Sequence, residues 1–137
     1  MTSTLPGTAR ETEQRAVRDV IDAVYAAWAD NDADAFAALY LEDATVIQPG
    51  IYKPSREVVR TSMAAGFAGP LKGSTVIDTP LSVRFLNDTA AVVISEGAVR
   101  MSGEAEPPPQ RFVRATWVLA KRDGKWRIAA YHNSPAN

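Results

Sequence analysis

At Gly73 the hydrophobic period of this chain changes from 3.6 to 2, and that change limits the fold more than any other feature. Before it, apolar residues recur at helical spacing. Val17, Val20, Ile21, Val24 and Trp28 form one face of a first helix that starts between Thr8 and Thr12 and ends near Asp30. Asn31 and Asp32 break the pattern, and either can cap a second helix over residues 33–41 that buries Phe36, Leu39 and Tyr40. A short strand over 44–48 turns at Pro49-Gly50, so that Ile51-Tyr52 pairs back. Pro54 and Ser55 open a third helix over 55–67, with Val58, Val59, Met63 and Phe67 inward.

After Gly73 the spacing predicts four long strands, over 74–86, 90–101, 110–121 and 125–133. Asn87-Asp88 and Asp123-Gly124 supply hairpin turns, and Pro107 to Pro109 interrupt any ladder between the second and third strands. Three helices followed by a strand meander is an α+β order. The expected architecture is a cone-shaped α+β barrel: three N-terminal helices packed on one face of a curved antiparallel sheet, with a cavity between the layers. Residues 11–135 are expected to form this single domain, behind a flexible tail at 1–10.

Composition narrows the function. Fifteen Lys and Arg against sixteen Asp and Glu leave a net charge of −1, without the basic stripe that phosphate neutralisation demands. No nucleic-acid partner is therefore expected. The basic group Lys121, Arg122, Lys125, Arg127 is interrupted by Asp123 and reads as a solvated hairpin tip. No cysteine is present, and one histidine falls far short of a structural zinc site, so no metal is expected. No apolar run approaches the roughly 20 residues that span a bilayer, and the first residues lack a signal-peptide pattern, so a cytoplasmic protein is expected. No Gly-x-Gly-x-x-Gly run follows a strand, and no cofactor is expected.

The chain resembles the nuclear transport factor two-like superfamily, also described as cystatin-like. Ala27-Trp28, Asp32 to Ala35, Leu39-Tyr40 with Glu42-Asp43-Ala44, and C-terminally Asp123-Gly124, Trp126, Ile128, His132 and Ser134 carry the resemblance. Within it the chain looks like the SgcJ/EcaC-type branch, related to SnoaL-like polyketide cyclases. The resemblance implies a role in making a polyketide, of enediyne type in that branch, and a homodimer through the sheet face. Relatives of this fold include ketosteroid isomerase, scytalone dehydratase and limonene epoxide hydrolase, which use carboxylates, histidines and tyrosines. Others only bind, so the fold does not choose between chemistry and binding.

Three residues are candidates for chemistry. If the last strand alternates regularly, His132 shares a face with Trp126, Ile128 and Ala130 and points into the cavity, where it can exchange protons near neutral pH; the competing reading is a hydrogen-bonded core histidine. Glu96 interrupts an apolar strand and is either exposed on the sheet or buried with a raised pKa. Arg114 can hold a substrate anion or pair with Glu96 across the sheet. Tyr25, Trp28, Tyr40, Gln48, Tyr52, Met63, Phe67 and Trp117 are candidates to contact an apolar polyketide or polyene. Asp43 reads as a turn residue, and Asp78 falls on an exposed-looking parity. Two functions follow: a cofactor-independent acid/base cyclase or isomerase, or a non-catalytic binding protein that assists a polyketide synthase.

Overall fold

The computed structural model describes residues 7–137. Three helices come first: α1 (Gly7–Ala29), α2 (Ala33–Ala37) and, after the hairpin β1 (Tyr40–Gln48) and β2 (Ile51–Lys53), α3 (Arg56–Ala68). Then follow β3 (Thr75–Asn87), β4 (Ala90–Arg100), β5 (Val113–Arg122) and β6 (Lys125–Pro135). Helix α1 takes in residues 7–10, which the sequence assigned to a tail; the rest of that expectation, residues 1–6, lies outside the described residues.

The caps are local chemistry. The Asp32 carboxylate accepts from the Ala35 amide at 3.0 Å and the Ser55 hydroxyl from the Val58 amide at 3.3 Å, each satisfying an otherwise orphaned helix donor. Asp123 and Gly124 both have positive φ, 53° and 76°, the geometry of a tight hairpin turn that follows the strand twist. Helix α2 ends at Ala37 and not near Leu41, because the Leu39 carbonyl accepts from the Ile128 amide at 2.9 Å and Tyr40 pairs with Ile128 in the sheet.

The six strands form one curved, unclosed sheet in the order β2-β1-β6-β5-β4-β3. All neighbours are antiparallel except β1 and β6, which run parallel. The sheet is therefore mixed where a wholly antiparallel one was expected. The long excursion through α3 and three strands returns β6 to β1 in the same direction, as a parallel pair requires.

The core lies between the helices and the inner sheet face. Val17, Ile21 and Val24 of α1 and Val59, Met63 and Phe67 of α3 meet Val93, Trp117, Leu119, Trp126 and Ile128 of the sheet. Two of the sheet's register shifts decide which side chains face the helices. In β3, Pro80 pairs with Ser95 and Ser82 with Ile94, so Leu81 is extra. In β6, Ile128 pairs with Leu119 and Ala130 with Val118, so Ala129 is extra. A one-residue insertion sends every later side chain to the opposite face.

Candidate active site

A cavity of about 530 Å³ lies between the sheet and the helices. This is an ordinary size for a small-molecule site. Tyr25, Trp28, Tyr40, Gln48, Met63 and Trp117 line it.

Tyr52 does not line the cavity. It is 65% exposed, because in the short strand β2 Ile51 and Lys53 face inward and Tyr52 between them faces out. Phe67 is buried behind the wall, edge-on to Trp28 and Phe36, and serves packing.

The three residues expected to carry chemistry are on the other side of the sheet. His132 is exposed, because the Ala129 bulge reverses the parity set by Trp126 and Ile128 and turns Tyr131 and Asn133 inward instead. Glu96 stands opposite Arg114 in the β4–β5 ladder, and the Arg114 guanidinium donates to Glu96 Oε1 at 2.7 Å on the outer face. This is the cross-strand pair named as the alternative for Arg114, and with side chains 55% and 36% exposed it is a weak structural contact.

Asp78 takes their place. The Leu81 bulge separates two parities in β3: Val83 and Phe85 face the core beyond it, while Val76 and Asp78 face the cavity before it. The exposed-looking parity assigned to Asp78 was read from the wrong half of the strand. The Ser95 and Tyr25 hydroxyls neighbour the Asp78 carboxyl closely enough to act on its titration as hydrogen-bond donors. Burial raises its pKa above the ordinary 3.8, and those two donors partly oppose the shift. Ser95 is fully buried and accepts from Trp117 Nε1 at 3.0 Å, which leaves its own proton for Asp78.

Trp117 stands between two phenols, edge-on to Tyr25 at 5.9 Å and to Tyr131 at 4.6 Å between ring centroids. Burial raises the pKa of both, and the Asp78 charge raises them further, so both phenols stay protonated donors. The Tyr131 oxygen accepts from Asn133 Nδ2 at 2.9 Å, which leaves the Tyr131 proton for a molecule in the cavity. Asn133 Oδ1 is buried without a partner among the described residues. The site thus combines a half-buried carboxyl, a free phenol donor and an unused amide oxygen inside an aromatic cavity.

Sequence reasoning missed Asp78, Ser95, Tyr131 and Asn133. Two signals pointed to them: Pro80 inside a strand is a mark of an edge or a bulge, and Gly97 inside a strand is a mark of close approach by another group. Nothing in the residues around Ala129 marks the second bulge.

Comparison with known proteins agrees with this fold. No curated protein matches the sequence. A Nostoc punctiforme domain of unknown function with a cystatin-like fold superposes with a TM-score of 0.84 at 24% identity, covering 92% of this chain and 78% of that one. A ketosteroid isomerase-like protein from Erwinia carotovora atroseptica superposes at 0.72 with 18% identity, covering 90% and 95%. A Novosphingobium aromaticivorans protein with a provisional scytalone dehydratase name superposes at 0.79 with 17% identity, covering 96% and 89%. These likenesses show the fold alone. Among the described residues no helix is long and apolar enough to cross a membrane. The SnoaL-like domain family matches residues 17–137, nearly the whole chain, and the protein belongs to that family.

Proposed function

We propose that this protein is a small cytoplasmic, cofactor-independent enzyme of the isomerase or cyclase type, acting on a flat apolar polyketide intermediate held in the cavity. The observation that carries this reading is Asp78, a carboxyl held half-buried in an apolar cavity beside the free donor of Tyr131. In its ionised form Asp78 takes a proton from a carbon next to a carbonyl. The Tyr131 hydroxyl donates to the oxygen on which the enolate charge develops. Tyr25 and Ser95 hold the carboxyl in place. The enolate carbon then takes a proton back elsewhere or attacks a second carbonyl, which gives isomerisation or ring closure. The resemblance to the SgcJ/EcaC-type branch narrows the substrate to an enediyne-type polyene.

A second reading is a binding protein that holds such a molecule for a polyketide synthase. The largely aromatic and aliphatic wall favours it. We also propose that two copies pair through the outer sheet face, where Ile47 and Ile77 are exposed at 41% and 36%.

The test is proton exchange. An aromatic β-keto ester has a flat apolar body and one acidic carbon, and its loss of that proton in deuterated water is followed by NMR. The enzyme reading expects the protein to accelerate exchange and Asp78→Asn to lose about 10²–10⁴ of that acceleration with binding retained. Binding without any acceleration would support the carrier reading instead.

A further inference from the structure

The cavity is lined by two cations, and they differ in their partners. Arg111 is committed: it is paired with Glu104 and donates to the Val99 carbonyl at 2.9 Å. Lys53 lies on β2 with its amine 3.8 Å from the Met63 sulfur of α3. It has no ion pair among the described residues, and burial alone depresses its pKa below 10.5, with no acidic group acting on it. A half-buried ammonium against an apolar wall is costly unless an anion faces it. Among the described residues no acidic group pairs with it.

We propose that Lys53 is the receptor for a carboxylate at one end of the ligand, which makes the substrate an amphipathic acid. The inference rests on the cavity reading above and adds the class of molecule. Register gives the scale. Lys53 pairs with Val46 and Val46 with Tyr131, so Lys53 stands two strands from the proposed oxyanion donor, roughly 10 Å across the sheet. The ligand therefore carries its carboxylate about two or three fused rings away from the carbon that loses a proton. Gln48, which pairs with Ile51 two residues from Lys53 on β2, also lines the cavity and can donate to the second carboxylate oxygen.

The test uses two fluorescent probes of one shape, anthracene-2-carboxylate and its methyl ester, titrated into the wild-type protein at neutral pH. The expected result is about tenfold tighter binding of the acid, as for a charge-assisted pair. Lys53→Met should abolish that preference; Lys53→Arg should keep it. Ester binding reports the cavity and the acid-to-ester ratio reports Lys53. Equal wild-type affinity for acid and ester, or a preference that survives Lys53→Met, overturns the assignment and leaves the cavity reading standing. Failure of both probes to bind the wild type overturns both.

Discussion

Asp78 lies directly across the β3–β4 ladder from Gly97, so close that a Cβ on Gly97 would stand 2.7 Å from its carboxylate and nearer still to the Ile77 carbonyl. The near neighbour is backbone, which cannot rotate away. Gly97→Ala should push β3 off β4 and displace the carboxyl, with a loss of about 1–3 kcal/mol. Urea denaturation measures it, and an unchanged midpoint would contradict the close approach.

Asp78 also sets a pH dependence. Its folded pKa is raised, so the stabilisation of its protonated form is complete below the unfolded value of 3.8 and is lost as pH rises through the folded value. At neutral pH the wild type carries an ionised carboxyl in a site that disfavours it. Asp78→Asn should therefore melt higher than wild type at pH 7, and the difference should vanish below 3.8. Melting curves over that range check the sign. For a base-catalysed reaction the same shift places the acid limb of kcat/KM above the ordinary carboxylate value.

Glu13 titrates in the opposite sense. It ties α1 to the last hairpin by accepting from Lys121 Nζ at 2.7 Å and from Trp126 Nε1 at 2.6 Å. The Lys121 contact chiefly lowers its pKa, so its stabilisation is present above 4.5 and is lost as pH falls through the folded value. Glu13→Ala should cost about 1–3 kcal/mol at pH 7, since the buried indole N–H is left unpaired. The gap to wild type should close in acid.

His132 gives a prediction of no effect in the cavity. Because its ring lies on the outer face, His132→Ala should leave probe affinity and β-keto ester exchange unchanged. Deleting Ala129 is the complementary experiment. It would remove the extra residue while leaving Ile128 opposite Leu119 and Ala130 opposite Val118, so Tyr131 and Asn133 should stay inward and His132 outward, and circular dichroism should show a folded protein.

Helices, caps, the Asp123-Gly124 turn and the aromatic wall were legible because each is a local signal: spacing, a capping side chain, or a turn residue free to take positive φ. The side chains of β3 and β6 that face the cavity were not, and the reason is parity. Alternation read from Trp126 and Ile128 puts His132 inside, and alternation read from Val83 and Phe85 puts Asp78 outside. One extra residue in each strand reverses both assignments. Burial favours the bulged register through neighbours on other strands, Val46 beside Tyr131 and Gly97 beside Asp78, and those contacts are absent from any window of sequence.

The position of β6 between β1 and β5 has a consequence for synthesis. On the ribosome, the β1–β2 hairpin leaves the exit tunnel with no further strand to join, since α3, β3, β4 and β5 must all be translated before β6 can bridge the two halves of the sheet. Such distant pairing slows folding. Until it happens the nascent chain shows an open apolar wall and the unpaired edge of β1, so chaperone demand and aggregation during expression should both centre on that interval.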